Sequence, residues 1–167
     1  MTNIIYVDQD DNVVGAGPIA EADARGVGRR IVRIYIYNSK GEILVQRRSE
    51  RMQYMPGRWD QSVAGHVDVG EDYEAAAYRE LKEELGLSGV ALQEVKKIRT
   101  QHNGIPEIFI HHMIYKGISD GPFLLDKEEV AEIKWVAPTD LHAWVEKDPE
   151  AFTPGFLATY KELQSVV

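Results

Sequence analysis

From Gly65 to Leu87 the chain reads GHVDVGEDYEAAAYRELKEELGL, and the spacing inside this stretch decides how the rest is read. Five residues separate Gly65 from Glu71, and seven separate Glu71 from Arg79, Glu80 and Leu81; Glu83, Glu84, Gly86 and Leu87 complete the pattern. Seven fixed residue types at about 5–7% each recur in one register roughly once in 10^8 to 10^9 starting points, so chance does not account for it. At about 100° per residue in a helix, Glu80, Glu83 and Glu84 fall within an arc of roughly 100°. Three carboxylates on so narrow a face repel one another, and the only cations among them are Arg79 and Lys82. A hard divalent cation, which prefers oxygen ligands, relieves that repulsion. Mg2+ is the first expectation, with Mn2+ as a substitute.

Ala77, Tyr78, Leu81 and Leu85 form an apolar stripe beside the acidic one, so one side of this helix is expected to pack while the next grips metal. Gly86 predicts a left-handed stop, and Glu71 and Asp72 mark the positive N-terminal end.

The chain has 167 residues, of which 44% are hydrophobic and 28% charged, the composition of one soluble globular domain over 1–167. Its 19 basic and 27 acidic residues leave a net charge of −8, which opposes binding to duplex nucleic acid. A small phosphorylated substrate remains compatible, because bound cations invert the field of a carboxylate cluster. Cysteine is absent, which excludes disulfides, thiolate zinc sites and a cysteine nucleophile. MTNIIYVDQDD has no basic region followed by a long apolar segment, and no run approaches a membrane span, so a cytoplasmic protein without a membrane partner is expected.

Ile4–Val7 and Val13–Ala16 flank a turn of Asp and Asn and predict an N-terminal hairpin, part of an extension over 1–28 suited to packing or to a homodimer. Ala20–Arg25 reads as a helical turn. Ile31–Asn38, IVRIYIYN, alternates as a strand does, and Ile43–Gln46 is expected to return as its hairpin partner. Gln61–Gly65 is a short strand entering the box. Ala91–Thr100 and Ile108–Tyr115 are strands about the His102-Asn103-Gly104 turn, and Ile133–Val136 is another. Pro138 opens a helix through about Lys147, and Pro154 opens a last one to the C-terminus.

Between the central strands and the box lies QRRSERMQYMPGRWD. Guanidinium binds phosphate in a bidentate manner, so Arg47, Arg48, Arg51 and Arg58 are candidates for a diphosphate grip, with one or two expected to serve. Trp59, Tyr54, Phe109 and Phe123 read as core or as stacking surfaces.

The 65–87 pattern resembles the box of the Nudix hydrolases. That resemblance implies an α/β/α sandwich around a mixed β-sheet and hydrolysis of a diphosphate linkage in a small molecule such as a nucleoside diphosphate derivative. It implies metal ligation by Glu80, Glu83 and Glu84, with the Gly65 carbonyl as a further ligand and Glu71 and Arg79 as supporting residues. The longer string QRRSERMQYMPGRWDQSVAGHVDVGE is similar to the branch that contains type I isopentenyl-diphosphate isomerases. Three departures separate the two: the isomerase cysteine falls near Ala64 here, the isomerase box is degenerate where this one is complete, and the N-terminal ADARGVGRR holds no histidine. His66 alone matches, and is read as a relic, a hydrogen-bonding residue or a substrate contact rather than a direct ligand. His111 and His112 alternate along a strand, so at most one faces a cleft; His102 is expected in an exposed turn.

The expected reaction is attack of water on a phosphate held by the cation. Glu80 ranks first to accept the proton, ahead of Glu107, Glu128 and Glu129. The other readings are an isomerase, which the missing cysteine opposes, and a non-catalytic nucleotide-binding regulatory module, which has no need of the acidic face.

Overall fold

The computed structural model describes residues 3–164. Ile4–Val7 (β1) and Val13–Gly17 (β2) form the expected hairpin, with the Asp8 carboxylate accepting from the amides of Asp10 and Asn12 across its turn. A short helix, Ile19–Arg25 (α1), ends at Gly26 in the left-handed conformation.

The strand Gly28–Tyr37 (β3) is the axis of the molecule. Along one edge it pairs in parallel with Ile105–Ile118 (β8), which in turn pairs with Gln93–His102 (β7) across the Asn103-Gly104 turn. Its other edge is shared end to end by β1, by Val63–His66 (β6) and by Ile43–Arg48 (β4). The expected central hairpin of β3 and β4 forms at its turn end only, the two strands pairing antiparallel at Tyr37 and Ile43. Beyond that pair β4 turns away to Trp59–Asp60 (β5) and Val130–Val136 (β9). Alternation identifies a strand but not its neighbour, and the edge that β4 leaves is filled by β6. The sheet therefore splits between β6 and β4. Side chains bridge the split: Ser62 Oγ donates to Leu44 O and is bonded by the Ile36 amide, and Gln46 Nε2 donates to Ser62 O.

Alternation along β3 sends Val32, Ile34 and Ile36 to one face and Tyr35 to the other. Against the first packs Tyr73–Leu85 (α2), through Ala76, Ala77, Leu81 and Leu85. Each of the two leucines is fully buried and contributes about 1.5–3 kcal/mol. Tyr78, expected in this stripe, is 37% exposed, its hydroxyl accepting from the Leu92 amide. Against the second face pack Pro138–Lys147 (α3) and Pro154–Gln164 (α4), with Leu141, Phe156, Tyr160 and Leu163 meeting Tyr35, Val45 and Ile114. The last helix was expected to run to the C-terminus; residues 165–167 lie outside those described. The result is a mixed sheet between helices, an α/β/α sandwich. Among the described residues no helix is long and apolar enough to cross a membrane.

Candidate active site

The box helix is built as its spacing requires. Asp72 caps it, accepting from the Ala75 amide at 2.8 Å, and Gly86 ends it at φ 66°. Gly65 lets the helix approach the sheet: a Cβ there would stand 2.5 Å from Glu80 Cγ and closer still to the Glu80 carboxyl group. Glu80 thus lies against the backbone of β6, only 8% exposed.

Arg79 organises the carboxylates. Its Nε and Nη2 donate to the two oxygens of Glu71 at 2.7 and 3.0 Å. Nη1 donates to Glu80 Oε1 at 2.7 Å and Glu83 Oε2 at 3.0 Å, and Nη2 also donates to the His66 carbonyl at 2.9 Å. These bonds hold Glu71 below the usual carboxylate range and raise the Arg79 pKa. Glu84 instead accepts from the neutral amide of Gln46 at 2.6 Å and is 3% exposed. Burial, reinforced by Glu80, pushes its pKa well up. Burial likewise raises Glu80 to about 7, against the opposing pull of Arg79. Two acids are therefore buried with one guanidinium near them, a donor set suited to a hard cation. As they stand, no three His, Asp or Glu side chains among the described residues converge closely enough to hold a metal ion. Arg79 spans one oxygen of Glu80 and one of Glu83.

The expected Gly65 carbonyl is placed differently. The Val67 amide donates to Arg30 O, and in an antiparallel ladder bonded pairs alternate, so the facing pair Val32 and Gly65 is bonded too. The main-chain groups of Ala64 and His66 turn to the other edge of β6, where Arg79 takes the His66 carbonyl.

All four arginines proposed for a diphosphate have partners within the protein, Arg48 donating from Nε to the Tyr54 carbonyl at 3.0 Å. Arg47 pairs with Glu132 and Glu50, Arg51 with Glu128, and Arg58 with the Glu150 carbonyl. Arg48 reaches the site, 3.7 Å from Asp60 and close enough to influence both Glu129 and His66. Among the loop acids, Glu129 lies near the box carboxylates and raises the pKa of Glu80 and Glu84, whereas Glu128 is held by Arg51 and Glu107 lies exposed on β8. Of the aromatic candidates, Trp59 packs on Trp144 and Phe123 on Trp135, Phe109 lies under Arg99, and Tyr54 is exposed. His102, expected exposed, closes β7 half-buried, 3.5 Å from Asp23.

On the sheet face opposite α2 lie Arg29, Arg33, His66 and His112. Ile31 faces His66 on one side and His112 on the other, with the arginines two residues either way along β3. Sequence reading passed over these arginines as parts of a strand. Period-two spacing of Arg29, Ile31, Arg33 and Tyr35 was the signal that marks a shared face. Gln46 and Asp60 carry no comparable signal.

Fold and site define a class, an enzyme with an acid-faced helix laid over a split sheet. A NUDIX domain model matches residues 28–156, so the chain belongs to the Nudix family, and it is a Nudix pyrophosphohydrolase. It is 36% identical over 135 residues to an uncharacterized Nudix hydrolase from Pseudomonas aeruginosa, covering 81% of this chain and 78% of that one. It is 34% identical over 163 residues to an isopentenyl-diphosphate Delta-isomerase from Serratia proteamaculans, covering 96% and 90%. The crystal structure of DR0079 from Deinococcus radiodurans superposes with a TM-score of 0.75 at 25% identity, covering 87% and 89%. The Nudix domain of Shewanella oneidensis NrtR, solved with ADP ribose, shares the fold at TM-score 0.65 and 14% identity, covering 89% and 98%.

Proposed function

We propose that this chain, working as one domain, hydrolyses the diphosphate linkage of a small organic substrate, a nucleoside diphosphate derivative, with a divalent cation, Mg2+ or in its place Mn2+. The observation that carries this reading is the burial of Glu80 and Glu84 on one helix face with only Arg79 to offset their charge. Glu80, Glu83 and Glu84 would hold the ion, with the Ala64 carbonyl, at the open edge of β6, in place of the Gly65 carbonyl. When bound, such an ion polarises phosphate oxygens and lowers the pKa of the attacking water. Glu80, the box carboxylate that lies against β6 beside Glu84, accepts the water's proton. Arg79 orients Glu80 and Glu83, and Arg48 faces the substrate from β4. The N-terminal hairpin, with Val13 and Val14 exposed on the edge strand β2, is the surface we assign to a homodimer, tested by sedimentation.

The test is Glu83→Gln with Mg2+-dependent phosphate release from a panel of diphosphates. A loss of orders of magnitude in rate is expected, since removing one electrostatic stabiliser costs about 3–4 kcal/mol. Unchanged turnover by a folded variant rejects the metal reading. A rearranged alkene formed from an isoprenoid diphosphate without phosphate release would instead support the isomerase reading that the Serratia relative raises.

A further inference from the structure

The sheet face opposite the box helix carries a cluster whose Arg29, Arg33, Gln61 and His112 have no part in the hydrolytic centre. Arg33 donates from Nε to His112 Nδ1 at 3.3 Å and from Nη1 to Gln61 Oε1 at 3.2 Å; His112 Nε2 bonds Thr100 Oγ1 at 2.9 Å. Arg29 pairs with Asp23 at 2.6 Å. Arg33 and Arg48 share one carboxylate, Asp60, at 3.6 and 3.7 Å. Asp60 is also bonded by the Thr153 hydroxyl and the Gln61 amide. Both histidines are held neutral by burial and by these guanidiniums, His66 at about 3.

Three nitrogens of this cluster are sealed from solvent without a partner: Arg29 Nε, Gln61 Nε2 and His66 Nε2. Arg29 and Gln61 are nearly or wholly buried, so these are donors with nothing to donate to. Leaving a buried donor unmatched is costly, and two on one face, beside an imidazole nitrogen that donates in one of its tautomers, call for an acceptor with several oxygens. The floor between them, Ile31, Ala64 and Ile110, is half-exposed. His66 joins this cluster to the hydrolytic centre, since its ring faces the arginines while its carbonyl accepts from Arg79.

We propose that Arg29, Arg33, Gln61 and His66 form a recognition site for a second anionic group of the substrate, a phosphomonoester or carboxylate separate from the scissile diphosphate. The proposal rests on the hydrolase reading above and narrows its substrate class to diphosphates with a charged, not apolar, far end. An isoprenoid tail would leave these donors buried and unmatched.

Two measurements test it. The first compares kcat/KM for matched pairs: ADP-ribose against its 2′-phosphate, and UDP-glucose against UDP-glucuronate. The anionic member of at least one pair is expected to be favoured by at least about tenfold, because a site built of buried donors rejects an analogue without the acceptor. Arg29→Gln is expected to bring that ratio to within about threefold of one. The second needs no turnover: inorganic phosphate is titrated into metal-free protein in EDTA while the His66 ring nitrogens are followed by NMR. A saturable shift that Arg29→Gln abolishes supports the site. Equal kcat/KM within both pairs in an active wild type, a ratio that folded Arg29→Gln does not alter, or no His66 shift overturns it. A phosphate-dependent shift in a protein that hydrolyses no diphosphate would reject the hydrolase reading and keep the anion site; hydrolysis without preference or shift does the reverse.

Discussion

Gly65→Ala isolates the contact on which the active site is built. Gly65 does not occupy the left-handed region, so alanine brings no backbone strain of its own. Its methyl carbon would stand 2.5 Å from Glu80 Cγ, well inside the 3.5–4.0 Å separation of carbons in contact. Either α2 moves outward, loosening Leu81 and Leu85, or the Glu80 side chain leaves β6 and its bond to Arg79. Overpacking of this kind costs about 1–3 kcal/mol. For a chain of this size, at about 2–4 °C per kcal/mol, the melting temperature should fall by about 2–12 °C. Activity should fall with it, because Glu80 no longer lies where Arg79 holds it. The decisive assay is a double-mutant cycle in chemical denaturant. With Glu80→Ala as background the clash partner is gone, and Gly65→Ala should then cost less than about 0.5 kcal/mol. An equal cost in both backgrounds would refute the argument, since the glycine would then matter for some reason other than Glu80.

Further outcomes follow from the same geometry. Arg79→Lys keeps the charge but not the fork that serves Glu71, Glu80, Glu83 and the His66 carbonyl, so it should lose about 1–3 kcal/mol of stability and most activity, measured by denaturation and turnover. Gln46→Leu leaves Glu84 buried without a donor and should cost about 1–3 kcal/mol; no change in denaturation midpoint would contradict that bond. Glu80 is raised from 4.5 to about 7, so between those values the folded metal-free protein holds a proton that the unfolded chain releases. Its contribution to stability is therefore full at the acid end and lost as pH rises through about 7. His66, lowered from 6.5 to about 3, works oppositely, its contribution being lost as pH falls through that range. The difference between wild type and Glu80→Gln cancels the histidine, and that difference should decline with rising pH across 4.5 to 7.

The sequence by itself determined the box helix, its cap and stop, and the acidic face, because helical periodicity and capping depend on residues within a few positions of one another. It marked most strands as well, through alternation. It did not determine every strand neighbour: IVRIYIYN reads as a hairpin arm and meets β4 at Tyr37, while most of that edge is taken by β6 and its other side by β8, a choice made by long-range packing against two helical layers. For the same reason local composition offered four arginines for the substrate grip without saying which one or two would serve, while carboxylates far along the chain, Glu128 and Glu132, engaged two of them and the distant Glu150 carbonyl a third. Arg29, Arg33, His66 and His112 are separated by up to 83 positions, so only the folded sheet could set them side by side around Ile31. Burial is likewise a tertiary property, and it raises Glu80 and Glu84 where their shared helix face alone would leave them ordinary acids.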